Sequence, residues 1–273
     1  MADEWNPMNP ASKGNLLQVL RREAEEFLAV AEQPETWEAQ TFCPNWQVRD
    51  MVGHLIDATE GYFPGWEMAR GGPGEAPDPL GLQGMLDRND ERARALRNLS
   101  QAEALDRLRA DQQRAMEFYE SLSDDDWTGL MCFHPSMGPL PAFLYPSFQL
   151  ADYGVHNWDI REGLGRQRGL AGDTADLLSM IMFPLWQATA DTDNVTNPIN
   201  LGVRVSGPNG GTWRLTATKE GLNVEPGDVE DLPLVIDFDP ADLVLTAYGR
   251  IRGGTERGDP EVASRFYSLF FRI

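Results

Sequence analysis

Between residues 12 and 33 the apolar side chains Leu16, Leu17, Leu20, Ala24, Phe27, Leu28 and Ala31 recur at spacings of three and four. That recurrence puts them on one stripe of an amphipathic helix. A second helical pattern begins at Cys-Pro-Asn-Trp, where Pro44 suits a first helical position. It turns Val48, Met51, Val52, Leu55, Ile56 and Thr59 inward and fades near Pro64. Residues 71–84 carry Pro73, Pro77 and Pro79 among their glycines, so they read as a long surface loop of the kind that often covers a site. The pattern returns near Leu86, and Ser100 with Glu103 forms a capping box for a helix through Leu105, Leu108, Met116 and Tyr119. A polar turn at 123–126 and a Pro/Gly-rich segment at 135–146 precede a helix over 148–161 that stops at Gly163. One more helix, about 174–189, is expected to kink at Pro184.

Beyond Asn194 the period changes from helical to alternating. Leu201, Val203 and Val205, then Trp213, Leu215 and Ala217, then Leu234, Ile236 and Phe238 form runs bounded by Gly, Pro or Asp. They predict strands of an antiparallel sheet. Short helical patterns at 241–248 and 260–270 could cover one face of it. The expected organisation is α+β, with a helical domain over residues 1–193 and a small α+β domain over 194–273.

Charge and cysteine content narrow the function classes. Forty-three acidic against 23 basic residues give a formal charge of −20. A field of that sign repels phosphate backbones and anionic lipid surfaces, which argues against nucleic-acid and membrane partners. With 41% hydrophobic residues the chain can build a core and is not a disordered acidic segment. Only Cys43 and Cys132 are present, and there is no charged-then-apolar leader or bilayer-length apolar run. A cytoplasmic protein with reduced thiols is the expectation.

Asp152 and His156 are four residues apart, so they project from one helix face a turn apart. His54 stands in register with Met51 and Ala58 at the edge of the second helix's inward face. Two imidazoles and a carboxylate from facing helices suit a divalent ion and leave coordination positions free. Hydrogen-bonded core histidines and an arginine-paired or solvated Asp152 fit the same spacing. Asp57 and Asp159 each follow a histidine by three residues. They could orient the imidazoles, although such carboxylates also occur on solvated faces, the reading preferred for Asp57. Cys43, directly before a proline, reads as a capping or packing thiol. Cys132 and His134 form a loop pair that nothing else in the sequence completes into a catalytic arrangement. The glycine runs match no phosphate-binding pattern.

The segment Cys-Pro-Asn-Trp-Gln-Val-Arg-Asp-Met-Val-Gly-His (43–54) and the segment Leu-Ala-Asp-Tyr-Gly-Val-His-Asn-Trp-Asp-Ile (150–160) resemble the mycothiol-dependent maleylpyruvate isomerase family. So does the chain end, Asp-Leu-Val-Leu-Thr-Ala-Tyr-Gly-Arg (242–250) followed by Gly-Asp-Pro (258–260). The resemblance implies a DinB-like up-down four-helix bundle joined to a C-terminal α+β domain similar to sterol carrier protein. It implies Zn²⁺ or another divalent metal on His54, Asp152 and His156, with Asp152 standing where the family usually carries glutamate. Aspartate is one methylene shorter, so its helix must approach the metal more closely. The family's substrate-holding arginine corresponds to Arg250, with Arg252 as its neighbour, and a surface ion pair is the alternative role. Trp46 and Trp158 lie near the implied ligands and would wall the cavity, unless they are simply core.

The implied activity is that of an enzyme whose metal activates a low-molecular-weight thiol, mycothiol or an equivalent. Its partner is a small electrophilic, carboxylate-bearing substrate, to be isomerised or to accept the thiol. No protein partner is implied. The alternatives are a thiol-independent metalloenzyme of specialised metabolism on the same scaffold and a non-catalytic carrier of an apolar ligand.

Overall fold

The computed structural model describes residues 3–76, 78–166 and 169–270. Pro77 and the Leu86 side chain, both used above, lie outside the described set. Helix and sheet are both present, and the fold is α+β. The chain forms two compact units, one of Pro7–Gly169 and the other of Met1–Asn6 with Leu170–Ile273.

In the first unit, α1 (Lys13–Ala31) buries the stripe expected of it, Leu16 through Ala31. Helix α2 (Val48–Ala69) starts later and ends later than its pattern. Pro44 is not a helical position: residues 43–46 make a turn, and Asp50 caps the helix by accepting from the Gln47 N–H at 2.8 Å. The helix passes through Pro64, which is exposed, because Tyr62, Phe63 and Trp66 on the opposite side remain buried and hold the last turns against the core. The loop that follows is shorter than expected. Helix α3 (Gly81–Ala95) begins inside it, and the Leu80 and Gly81 amides donate to the Pro135 and Ser136 carbonyls.

Helix α4 (Gln101–Ser121) opens on the expected Ser100–Glu103 box. The expected polar turn at 123–126 is instead the start of a short helix, α5 (Asp124–Gly129), capped by Ser123. The Pro/Gly-rich stretch after it contains a hairpin, β1 (Met131–His134) with β2 (Gly138–Pro141), that the sequence pattern did not predict. Gly65 explains where it sits: a Cβ there would lie 2.0 Å from the Phe133 carbonyl oxygen, so only glycine lets β1 lie on the backbone of α2. Helix α6 (Leu144–Gly163) closes the unit, with Pro146 tolerated in its first turn. The four long helices share one core, α1 against α6 and α2 against both α4 and α6.

The second unit begins with α7 (Gly172–Ser179) and α8 (Met182–Thr189). The expected single helix is broken before Pro184, whose ring would clash with the carbonyl four residues earlier, at Met180. Both helices fall in the compact unit of the sheet rather than in that of the bundle, and the two units divide at 169–170. The reason is packing. Helix α7 rests on α9 (Pro240–Ala247) and α8 on β5 (Gly221–Pro226), and Trp186 of α8 meets Phe238 and Phe266.

The five-stranded sheet has the order β5-β4-β3-β6-β7, where β3 is Ile199–Val205, β4 Gly211–Thr218, β6 Leu234–Phe238 and β7 Thr255–Gly258. It is mixed rather than antiparallel, because β6 enters beside β3 in the same direction. Gly202 of β3 makes room for Val229, whose Cβ a side chain would meet at 2.5 Å. Helix α10 (Pro260–Tyr267) packs on β3 and β6.

Candidate metal centre

Three ligand atoms converge where α2 meets α6. One each from His54, Asp152 and His156 lie within 4.8 Å of one another. The closest ion-pair contact in the group is His54 Nε2 to Asp152 Oδ1 at 3.9 Å. The rings of His54 and His156 stand edge to face, 5.3 Å between centroids. Side-chain exposures of 13% for His54, 23% for Asp152 and 8% for His156 leave the group reachable by a small molecule yet largely withdrawn from bulk water.

The two carboxylates three residues past the histidines have different roles. Asp159 is fully buried, and its Oδ2 lies 2.9 Å from His156 Nδ1. A carboxylate accepts, so Nδ1 carries the hydrogen and Nε2 presents its lone pair. Asp57 instead takes both of its contacts from Arg92 Nη1, at 3.2 Å each, and does nothing for His54.

The segment before α2 closes over the group. Gln40 and Gln47 bridge its ends, and Gln40 Nε2 donates to the Trp46 carbonyl at 2.9 Å. The last turn of α6 comes this close only because Gly163 lacks a Cβ, which would lie 2.4 Å from the Gln40 carbonyl oxygen. Trp46 thereby faces both imidazoles, with centroids 5.0 Å from His54 and 5.8 Å from His156, and its indole N–H donates to Asp90 at 2.6 Å. Trp158 lies two residues past His156, about 200° round the helix. Its ring contact is with Phe42, at 5.0 Å.

Cys43 is the neighbour that the sequence pattern did not reveal. Its Sγ sits 3.4 Å from Asp159 Oδ2, and Cys43, His156 and Asp159 form a second group of ligand atoms within 4.8 Å. No local signal could have found it, because its partners lie more than a hundred residues away in sequence. Cys132 is fully buried, and burial pushes its thiol up to about 11, so it is no nucleophile at neutral pH. Arg250 belongs to the second unit, where it follows α9. It is buried and donates from Nη1 to the Tyr248 carbonyl at 2.8 Å. Arg252 is paired with Glu256 and lies over the Tyr267 ring. Among the described residues no helix is long and apolar enough to cross a membrane.

The profile of the mycothiol maleylpyruvate isomerase N-terminal domain matches residues 17–161, a span that contains His54, Asp152 and His156. A crystal structure of the mycothiol-dependent maleylpyruvate isomerase is similar with a TM-score of 0.60 at 14% identity, over 90% of this chain and 94% of that one. A histidine-to-alanine mutant of that enzyme gives 0.59, again at 14% identity and the same coverage. At that identity the likeness is one of fold. No curated protein matches the sequence.

Proposed function

The chain belongs to the family of the mycothiol maleylpyruvate isomerase N-terminal domain, and from that premise we propose a metal- and thiol-dependent enzyme acting in the cytoplasm on a small electrophilic acid. The observation that carries the reading is the convergence of His54, Asp152 and His156. Two imidazole nitrogens and one carboxylate oxygen suit Zn²⁺, and three protein ligands leave room for one more. Bound there, the ion would supply Lewis acidity that keeps a thiol such as mycothiol ionised at neutral pH.

The residues of this chain do the rest. Asp159 holds the proton on His156 Nδ1 and so keeps Nε2 available. Trp46 screens both imidazoles from water on one side and is the proposed wall for the thiol, whereas Trp158, turned toward Phe42, has no part in this reading. Arg250, in the second unit, is the proposed anion-binding residue, since an always-charged planar fork suits a carboxylate. Addition of a thiolate to a conjugated double bond leaves a single bond about which the substrate can turn. Elimination of the same thiolate then restores the double bond in the other geometry, which is isomerisation. Retention of the new C–S bond would be thiol transfer.

Elemental analysis of protein purified without chelator or affinity-column metal, followed by thiol-dependent turnover of maleylpyruvate, tests the reading. Stoichiometric zinc in the wild type, lost in folded His54→Ala and His156→Ala proteins, is the expected result. A protein that takes up no metal on reconstitution overturns the thiolate chemistry and favours a carrier of an apolar ligand.

A further inference from the structure

A strip of half-buried positions leads away from the three ligands. On α2 it comprises His54, Ala58 and Gly61, and on α6 Asp152 and Phe148. Spacings of four and three residues put the α2 members on one face, and seven residues of helix rise about 10 Å. Ala58 and Gly61 are the small residues on this half-buried face. The hairpin turn closes its far end, where the Pro135 ring would touch a Cβ on Gly61 at 3.6 Å.

His134 stands at that end. It is 5% exposed, its ring centroid lies 5.5 Å from that of Tyr62 and 5.9 Å from that of Phe148. Phe148 is one helical turn from Asp152, and Tyr62 about two turns from His54. The tautomer is set by the backbone: the Ser136 and Met137 amides donate to Nδ1 at 3.1 and 3.2 Å. An amide N–H cannot accept, so Nδ1 is unprotonated and the hydrogen is on Nε2. None of the described hydrogen bonds engages Nε2. Burial pulls the imidazole down to about 4 against the opposing pull of the Asp152 charge, which leaves it a neutral donor at physiological pH.

We propose that His134 is a substrate-contacting residue whose Nε2–H donates to a carbonyl or carboxylate oxygen of a short unsaturated acid lying along this strip. The proposal rests on the thiol-addition reading above and deepens it. When a thiolate adds to a double bond conjugated with that carbonyl, the C–S bond forms and the π pair moves onto the carbonyl oxygen. A fixed N–H at that oxygen stabilises the developing charge, and elimination returns the pair to carbon and releases the thiolate. A neutral donor serves this better than a cation, because it does not trap the anionic substrate before reaction.

Two substitutions separate the donor from the anchor. In His134→Asn the side-chain oxygen can still accept from the Ser136 and Met137 amides while the Nε2–H is lost; in His134→Gln a donor is kept near the Nε2 position. Zinc-loaded full-length protein is titrated calorimetrically with maleate, a cis-unsaturated dicarboxylate. The expected result is affinity weakened roughly tenfold or more in His134→Asn, affinity within about threefold of wild type in His134→Gln, and unchanged zinc content in both. On ¹⁵N-histidine-labelled wild type, maleate should also move the His134 Nε2–H resonance, a readout that needs no variant to fold. Equal affinity in His134→Asn and wild type, no maleate binding by the wild type, or an unmoved resonance overturns the proposal. Zinc content and thiol-dependent turnover report on the parent reading separately, so a stoichiometric, thiol-dependent enzyme with an indifferent His134 removes this contact alone.

Discussion

Replacing Asp159 by asparagine should weaken zinc binding without unfolding the protein. Asp159 is fully buried, so no water takes over the contact it makes to His156 Nδ1 at 2.9 Å. A hydrogen bond to an ionised group contributes about 1.5–3 kcal/mol, and one between neutral groups about 0.5–1.5 kcal/mol. The exchange therefore removes on the order of 1–1.5 kcal/mol of support for the metal-binding tautomer, about tenfold in affinity. Should the asparagine turn its amide nitrogen toward Nδ1, the ring proton moves to Nε2 and competes with the metal, which brings the loss toward the roughly hundredfold limit seen for such outer carboxylates. Asparagine nearly matches aspartate in volume and can still accept from the Cys43 thiol, so the thermal midpoint should stay close to that of the wild type. The built-in control is Asp57→Asn, at the same three-residue spacing from its histidine but committed to Arg92. Competition with a zinc-chelating dye near neutral pH gives both dissociation constants. Equal constants for the two variants would refute the reasoning, since position along the helix would then count for nothing beyond charge.

Two further outcomes follow from buried charge. Burial, with Glu60 beside it, pushes the Asp111 carboxyl up to about 6, so the folded chain holds a proton there that the unfolded chain releases near its ordinary value of about 4. Stability from this group therefore falls by about 1–2 kcal/mol, after solvent screening, as pH rises through that window. His134, pulled down to about 4, has the opposite slope: the unfolded chain protonates near 6.5, and about 3 kcal/mol is lost as pH drops toward 4. Relative to wild type, Asp111→Asn should lose stability more steeply on acidification and His134→Asn less steeply, by urea unfolding at stepped pH; parallel curves would sink both assignments. On α2, fully buried Asp50 takes two 2.6 Å contacts from Arg97, whose side chain is 37% exposed. Arg97→Ala strands a buried carboxylate and should cost about 3–5 kcal/mol, whereas Asp50→Asn leaves an arginine that water can reach and should cost clearly less. Chemical denaturation of the pair that ranked them the other way would contradict the burial argument.

Much of the local structure was legible because it depends on neighbours in sequence. The stripe of α1 and the Ser100–Glu103 cap of α4 each involve residues within a few positions, and both stand where the pattern put them. The misreadings were also local rules overruled from outside. Pro64 stayed helical because Tyr62, Phe63 and Trp66 are buried on the other side of α2. The hairpin in the Pro/Gly-rich stretch exists because Gly65 gives it a backbone to lie on. The break between α7 and α8 falls one turn before Pro184, at the carbonyl its ring excludes, and α8 joins the sheet through Trp186 and its aromatic neighbours while α7 rests on α9.

Sequence alone determined which residue types were available to the site: two histidines and an aspartate at helical spacing, with a carboxylate three residues past each imidazole. Tertiary structure decided what each would do. His-Leu-Ile-Asp and His-Asn-Trp-Asp look alike as strings, yet one aspartate is drawn off by an arginine from α3 and the other is sealed against its histidine and Cys43. Hydrogen bonding and desolvation act over a few ångströms in space, and the groups that supply them here come from elements up to 116 residues apart.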